Sequence, residues 1–322
     1  MLGGLAAPAE AQLARSELVR LERERVLSAA LQYLREAPVT VTAFSAPRSA
    51  GGPHDFSSEG DYWWPDPRSP DSPYVRRDGE TNPANFVAHR DAMRRLSQVV
   101  PALVAAYQIT GDTAYARHAV AHLAAWFVDG RTRMNPNLLY GQAIKGRATG
   151  RGTGIIDTVH LVEVARAAWV LEQMGYLKGE TLAGIKQWFR QYLGWITTHP
   201  YGIDERNSGN NHSAAWALQV TAFAQLVGDE PRLASMRRFF RETLVPEQMA
   251  ADGSFPRELA RIKPYGYWPV RNPALLFGGL ALHEPRYLDL WTTLDPDPRV
   301  DEVVRNYPIR QPLLWMRQGA DR

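Results

Sequence analysis

"YQITGDTAY" (residues 107–115) and "AQLVGDEPR" (residues 224–232) share the pattern Gln-x-x-Gly-Asp between two apolar segments of helical character. Glycine ends one helix in the left-handed conformation and aspartate caps the next, so each stretch predicts a tight antiparallel helical hairpin. Successive hairpins without strands stack or curl into a toroid. We therefore predict an all-α protein, an incomplete α/α toroid (barrel) of antiparallel helical hairpins, in a single domain over residues 1–322.

Apolar periodicity supports the helical assignment. In residues 155–174, an apolar stripe runs through Ile155, Val159 and Val162, and a second stripe runs beside it, which predicts a helix buried on most sides. Further helices are predicted near residues 13–36, 85–109, 113–128, 180–198, 212–227, 231–243, 273–282 and 299–305.

Composition limits the classes of partner and compartment. The 322 residues include no cysteine and carry a net charge of +3, which excludes disulfides and thiolate chemistry and, without clustered basic residues, argues against nucleic acid. No apolar run is long enough to span a bilayer. The start "MLGGLAAPAEAQ" has the small residues of a trimmed secretory leader, so we expect a periplasmic or secreted protein. The sequence does not indicate an oligomeric state.

Residues 44–84 form a long segment without helical periodicity, rich in Pro, Gly, Ser and Asp. Its aromatic residues are not typical of a disordered linker, so we expect it to be packed and to line a substrate cleft. Aromatic faces cover sugar rings, and arginine forks bind carboxylates. Alternatively, the rings only anchor the loop to the helices. The candidate substrate-binding residues here are Trp63, Trp64, Arg76 and Arg77.

A second glycine-rich stretch, "MNPNLLYGQAIKGRATGRGTG" (residues 134–154), precedes a predicted helix. It lacks the Gly-Lys-Ser/Thr ending and the preceding strand of a nucleotide-binding loop. A loop that binds carboxylates fits better, and a plain connector is the alternative. The candidate substrate-binding residues are Asn137, Tyr140, Gln142 and Arg151.

"NSGNNHSAAW" (residues 207–216) places three polar side chains at the start of a predicted helix, and a cap formed by Asn211 would explain only one of them. The partners of these side chains are sought in "FPRELARIKPYGYW" (residues 255–268). Asn, His, Arg and Tyr together suit β-elimination on a uronic acid. Asn and Arg neutralise the carboxylate while the enolate develops, and His or Tyr moves the protons. This chemistry needs no cofactor.

His118 and His122 have the i, i+4 spacing of zinc ligands on a helix. No third ligand is evident, and no Glu follows the first histidine as in a metalloprotease. We therefore predict no catalytic metal.

Several motifs, taken together, resemble the alginate-lyase-like polysaccharide lyases. They occur in the family's order between about residue 50 and "YPIRQPLLW" near the end. The "KPYGY" form resembles a related branch with glucuronan and alginate activity. The motifs are "GGPHDFSSEGDYWWPDP", "YVRRDGETNP", "RMNPNLLYGQAIKGRATGRGTGIIDT", "SGNNHS" and "ELARIKPYGY".

The resemblance implies an α/α toroid that cleaves a uronate polymer such as alginate, polymannuronate or glucuronan by β-elimination. It implies that Asn211 and Arg261 neutralise the carboxylate and that His212 is the base for one stereochemistry. A tyrosine would be the acid, or both acid and base. In the alginate lyases proper this tyrosine is slightly further from the arginine, so Tyr267 is our first choice, with Tyr265 second and otherwise a substrate-binding residue.

Two other functions are compatible with a helical toroid. A glycoside hydrolase would need two facing carboxyl groups, for which Asp61, Asp66 and Glu258 are available. A protein that only binds acidic glycans would need neither acid nor base. Ultraviolet absorbance of the C4=C5 product separates a lyase from both.

Overall fold

The protein is described by a computed structural model over residues 15–69, 71–77, 79–250, 256–260 and 309–315. The predicted helices near residues 273–282 and 299–305 lie outside these ranges. The α-helices are α1 (Arg15–Tyr33), α2 (Ala88–Thr110), α3 (Thr113–Phe127), α4 (Leu161–Gln173), α5 (Gly179–Thr198), α6 (Pro200–Arg206), α7 (Asn211–Val227), α8 (Glu230–Phe239), α9 (Val245–Gln248) and α10 (Pro256–Leu259).

Both Gly-Asp junctions form the predicted hairpins. Gly111 ends α2 with a φ of 72°, and the Asp112 side chain accepts a hydrogen bond from the Ala114 N–H at the start of α3. Gly228 ends α7 with a φ of 75°, and Asp229 caps α8. Glycine adopts this left-handed conformation without strain, which explains why the same pair occurs at both turns.

The helices pack in two layers, as predicted for a toroid. α2 contacts α4, and α4 contacts α7, which makes these three helices neighbours in the inner layer. α1, α3, α5 and α8 pack against them from outside. Nearly every residue of α4 is buried, in agreement with its two apolar stripes. Large aromatic side chains fill the space between the layers, including Trp126, Phe127, Phe189, Tyr192 and Phe223.

The predicted helix over residues 155–174 is wrong in its first part, because Gly152–His160 is a 3₁₀ helix that leads into α4. The reason is tertiary. The Ile155 carbonyl accepts hydrogen bonds from the side chains of Gln219 and Thr158. Thr158 also contacts the Tyr192 hydroxyl, 2.5 Å away. These contacts from α5 and α7 hold the segment in the tighter helix.

Residues 44–84 are packed and hydrogen-bonded, as expected, and contain short strands. β1 (Ser57–Glu59) pairs in parallel with β4 (Tyr140–Ala143). β2 (Trp63–Trp64) pairs antiparallel with β3 (Val75–Arg76), with Trp63 opposite Arg76. β1 also packs against α2, and β4 packs against the segment Gly152–His160, so both loop segments are attached to the helices.

Residues 309–315 return to the inner layer. The backbone N–H groups of Arg310 and Gln311 donate to the buried carboxylate of Glu163 on α4, at 2.8 Å and 2.6 Å. Burial raises the pKa of Glu163 to about 7, although these hydrogen bonds act against the rise. The contact ties residues from the far end of the chain to the middle of the fold.

Candidate active site

The start of α7 holds the three polar residues noted in the sequence. Asn210, rather than Asn211, is the helix cap, because its side-chain oxygen accepts a hydrogen bond from the His212 N–H at 2.9 Å. Asn211 and His212 are the first two residues of the helix, and both are partly buried. One of the three side chains therefore has a structural role, and the other two are placed at the positive end of the helix dipole, where an anion is favoured.

His212 is held by a buried carboxylate. Its Nδ1 lies 2.7 Å from Oε1 of Glu205, on α6, while the His212 side chain is 20% exposed and that of Glu205 is 0% exposed. Nε2 of His212 makes no hydrogen bond with any residue in the described ranges. When Nδ1–H donates to a carboxylate, Nε2 carries the lone pair, which is the form of histidine that acts as a base.

Glu205 has an unusual environment for a carboxyl group. Burial raises its pKa, and the nearby Asp157 adds to the rise, whereas the hydrogen bond from His212 opposes it. Its second oxygen, Oε2, is buried and has no hydrogen-bond partner among the described residues. His212 is therefore its principal stabilising contact.

The segment that leads to Arg261 lies against the turn before α7. Arg257, on α10, donates a hydrogen bond from Nη1 to the carbonyl oxygen of Gly209 at 2.5 Å. Arg257 and Arg261 are four residues apart, close to one helical turn. Arg261, Tyr265 and Tyr267 themselves lie outside the described residues, so their positions stay a prediction.

A second group of polar side chains surrounds β4. Arg151 donates from Nη2 to the side-chain oxygen of Gln142 at 2.8 Å and from Nε to its backbone oxygen at 3.0 Å. Gln142 has a φ of 49°, rare for a residue other than glycine, and its side-chain amide donates to Asp157 at 3.2 Å. Residues with strained backbones cluster at functional sites, and here the strained residue, Gln142, is the one that binds Arg151.

A network of ion pairs around the buried Arg90 stabilises this group. Arg90 binds Asp61 through two hydrogen bonds, at 2.6 Å and 3.0 Å, and lies 3.5 Å from Asp157. Ser58 donates to the other oxygen of Asp157 at 2.5 Å. Burial tends to lower the pKa of Arg90, but Asp157 and Asp61 outweigh it, and the pKa is raised. Asp61 thus takes part in a structural ion pair with Arg90.

The two groups belong to one region of the surface. Arg151 immediately precedes the 3₁₀ helix Gly152–His160, which packs against both α6 and α7. Burial lowers the pKa of Arg151, the charges of Asp157 and Glu205 raise it, and Arg76 lowers it further, so these charges lie near one another. We define the candidate site residues as Trp63, Arg76, Gln142, Arg151, Asn211 and His212.

Trp63 of β2, with guanidinium groups near its ring, forms a wall beside Arg151. The guanidinium carbons of Arg147 and Arg151 lie 5.4 Å and 6.0 Å from the Trp63 ring centroid. Arg77 lies 5.1 Å from the ring of Trp64, whose indole N–H donates to the Glu80 carbonyl. Both tryptophans are partly exposed. The wall offers aromatic faces and positive charge together, as an acidic sugar requires.

Two predicted binding residues have evident structural contacts. The Asn137 side chain accepts a hydrogen bond from the Leu139 N–H at 3.3 Å, within its own turn. The Tyr140 ring packs against Gly51, where an added Cβ would lie 2.6 Å from the ring. These contacts hold the glycine-rich stretch and the loop over residues 44–84 together, and a role of either residue in binding stays a prediction.

His118 and His122 point at one backbone carbonyl. Their Nε2 atoms lie 2.9 Å and 3.1 Å from the oxygen of Glu36 and 3.3 Å from each other. Burial and the neighbouring His118 lower the pKa of His122 to about 4. Within the described ranges, no group of three or more histidine or acidic side chains has the arrangement of a metal site.

Sequence reasoning did not identify Glu205 and did not predict α6. The sequence did carry a signal for α6: Pro200 occupies the first turn, after His199, whose side chain accepts a hydrogen bond from the Tyr201 N–H as the cap. Such a start predicts a short helix. The pairing with His212 depends on how α6 meets α7, which periodicity does not reveal.

The chain is similar to known proteins over most of its length. The family model described as Alginate lyase matches residues 40–297. An alginate lyase from Bacteroides ovatus is 31% identical with a TM-score of 0.71, and the match covers 89% of this chain and 76% of that one. Alginate lyase A1-III from Sphingomonas species A1 is 17% identical with a TM-score of 0.46, covering 90% of this chain and 75% of that one. No match was found among curated proteins.

In the parts of the chain that the structure describes, no helix is both long enough and apolar enough to cross a membrane.

Proposed function

The chain belongs to the alginate lyase family and is a polysaccharide lyase, and we propose that it cleaves a uronate polymer, alginate, polymannuronate or glucuronan, by β-elimination at the start of α7. The observation that carries the proposal is the His212–Glu205 pair, which leaves a lone pair on Nε2 beside Asn211. A polymer of this kind is met outside the cytoplasm, so a periplasmic or secreted enzyme is part of the proposal.

Each step of the proposed reaction is assigned to the residue whose side-chain chemistry suits it. A base removes the C5 proton, the carboxylate takes up the charge as an enolate, and the C4–O bond breaks as an acid protonates O4. Asn211 and Arg261 would stabilise the enolate through hydrogen bonds. Nε2 of His212 would accept the C5 proton of one C5 epimer, and Tyr267 would protonate O4. For the other epimer the tyrosine would serve as both base and acid.

The candidate site residues suit an acidic sugar. Trp63, with two guanidinium groups near its ring, offers an aromatic face, and Arg151 is held in a fixed orientation by Gln142. An arginine that is already oriented loses little freedom on binding a carboxylate. These contacts support a neighbouring subsite for a uronate unit.

A hydrolase has less support. Inverting or retaining hydrolysis requires two carboxyl groups across the bond. Asp61 is bound through both oxygens to the buried Arg90, and Asp66 accepts a hydrogen bond from the Arg68 N–H. Asp61 is thus held in a structural ion pair, and the side chain of Glu258 lies outside the described residues.

The direct test is a panel of alginate, polymannuronate, polyguluronate, glucuronan and hyaluronan, assayed for two products at once. β-Elimination gives a C4=C5 double bond that absorbs ultraviolet light together with each new reducing end. Hydrolysis gives reducing ends alone, and a binding protein gives neither. Reducing ends without ultraviolet absorbance on every polymer would overturn the proposal, and the preferred polymer identifies the uronate.

Turnover is expected to be independent of metal ions, because Asn211, His212, Arg261 and Tyr267 supply all the charge that the proposed reaction needs. The measurement is the rate of ultraviolet-absorbing product after exhaustive chelation, compared with the untreated enzyme. We expect equal rates. Loss of activity that a divalent ion restores would contradict this expectation.

Arg261→Ala is expected to lower kcat by roughly 10²-fold or more, because negative charge on the carboxylate grows as the enolate forms. KM should change less. Arg261→Lys, which keeps the charge without the fork, should recover only part of the rate. Arg238→Ala, at an exposed position on α8, is the control for loss of one positive charge. A normal kcat with a raised KM would reduce Arg261 to a binding residue.

A further inference from the structure

We propose that Glu205 is the positioning residue of the site, fixing His212 in the tautomer with the proton on Nδ1 and stabilising the imidazolium that forms during turnover. The inference rests on the proposed role of His212 and deepens it. It assigns a function to a buried carboxylate that the sequence motifs do not include.

The geometry of the pair fixes the tautomer of a neutral His212 beside an ionised Glu205. Oε1 of Glu205 is 2.7 Å from Nδ1 of His212, the distance of a charge-assisted hydrogen bond. An ionised carboxylate only accepts, so Nδ1 must donate, and a neutral imidazole then has Nε2 unprotonated. Had a backbone N–H occupied the place of Glu205, the tautomer would be reversed and His212 could not act as a base.

The position of the carboxylate is tightly constrained by α6. The Tyr201 hydroxyl donates to the Gly150 carbonyl at 2.8 Å. At Gly202 an added Cβ would lie 1.9 Å from the Ile196 carbonyl oxygen, so α6 packs directly on the end of α5. With the helix fixed at both contacts, the Glu205 side chain has little freedom, and it transmits this fixed position to the imidazole.

The burial of Glu205 explains how it acts on the reaction. The residue is 1% exposed, and its second oxygen lacks a hydrogen-bond partner within the described ranges. Burial and Asp157 raise the pKa of this carboxyl group, which means that its charge is poorly solvated. A proton arriving on Nε2 turns the contact into an ion pair and relieves that cost. The carboxylate therefore favours proton transfer to His212, as the aspartate does in a Ser-His-Asp triad.

The test uses Glu205→Gln, which keeps the shape and removes the charge. We expect kcat to fall roughly 10²-fold with KM nearly unchanged, since the residue acts on proton transfer and does not touch the polymer. The acidic limb of the kcat profile should move to lower pH, because the imidazolium loses its counter-charge. The matched control is Asp204→Asn, an exposed neighbour on the same helix, for which we expect neither change.

A third variant separates charge from packing. Glu205→Asp keeps the charge but shortens the side chain, so a role through charge predicts more activity for Asp than for Gln. A role in packing alone predicts the opposite order. Folding is not expected to fail in Glu205→Gln: a carboxyl group whose pKa is raised in the folded state costs stability as pH rises above its unfolded pKa, and the neutral amide removes that cost.

Nuclear magnetic resonance of ¹⁵N-labelled histidine tests the inference without any substrate. At neutral pH the wild-type His212 should show a protonated Nδ1 and a bare Nε2, and Glu205→Gln should show a mixture of tautomers. A wild-type Nε2–H tautomer, or an unchanged tautomer and pH profile in Glu205→Gln, would overturn the inference. If no polymer is cleaved while the tautomers behave as expected, the proposed function fails and the role of Glu205 in holding His212 stands.

Discussion

His212→Ala is expected to lose about 10²- to 10⁴-fold in kcat on polymers of the C5 epimer whose proton faces α7, the usual contribution of a general base. The reason is the placement of the imidazole. Its Nδ1 is bound to Glu205, its Nε2 makes no hydrogen bond within the described ranges, and the side chain is 20% exposed. On the opposite epimer, where a tyrosine would act as the base, the loss should be far smaller.

The measurement is the initial rate of double-bond formation on polymannuronate and polyguluronate, with purified wild-type and variant enzyme. His118→Ala is the control for loss of an imidazole elsewhere, because its Nε2 contacts only the Glu36 carbonyl and His122 among the described residues. It should change thermal stability but not kcat. Equal losses of His212→Ala on both epimers would show that His212 acts in a step common to both, and no loss on either would remove it from the mechanism.

The parts of the fold that can be predicted from the sequence are those determined by residues adjacent in the chain. The Gly-Asp pairs at Gly111 and Gly228 specify two hairpins through backbone conformation and capping alone, and both are predictable from the sequence. The 3₁₀ helix Gly152–His160 could not be predicted in this way, because contacts from distant parts of the chain stabilise it. Gln219 on α7 donates to the Ile155 carbonyl and Tyr192 on α5 contacts Thr158, and tertiary contacts of this kind override periodicity.

The candidate site also has a part that the sequence reveals and a part that depends on tertiary packing. A run of polar residues at the start of an apolar helix does not contribute to the core. Asn211 and His212 can therefore be identified as candidate site residues from the amino-acid sequence alone. Glu205 gives no such signal, because an acidic residue in a short, mostly exposed helix is ordinary in a sequence. Only the packing of α6 against the 3₁₀ helix and α7 makes it buried and brings it to His212.

The family relationship and the geometry of the site give different kinds of information about function. Membership in the alginate lyase family gives the reaction class. The chain's own contacts give the orientation of His212, the fixed arginine at Gln142 and the aromatic wall at Trp63. Uronates differ at C5 and in the orientation of single hydroxyl groups, so under the proposed function we expect the choice of polymer to depend on these contacts rather than on the fold.

Tyr267→Phe is expected to lower turnover by about 10² to 10⁴-fold while polymer binding stays near that of the wild type. The substitution keeps the ring and its packing and removes only the proton that O4 would receive. Tyr265→Phe, two residues earlier, should cost far less. Binding is measured by calorimetry with an oligosaccharide, and turnover by the appearance of the double bond.

The contrast between the two tyrosines follows from the Lys-Pro-Tyr-Gly-Tyr segment itself. Pro264 and Gly266 exclude a regular helix there, and the glycine lets the backbone turn, so the two rings should point to different sides. Arg257, six residues before Lys263, contacts the Gly209 carbonyl two residues before Asn211. We expect only one of the two rings to reach the sugar beside Asn211 and His212. The reverse ranking would transfer the acid role to Tyr265, and full activity in both variants would leave the protonation of O4 to another group.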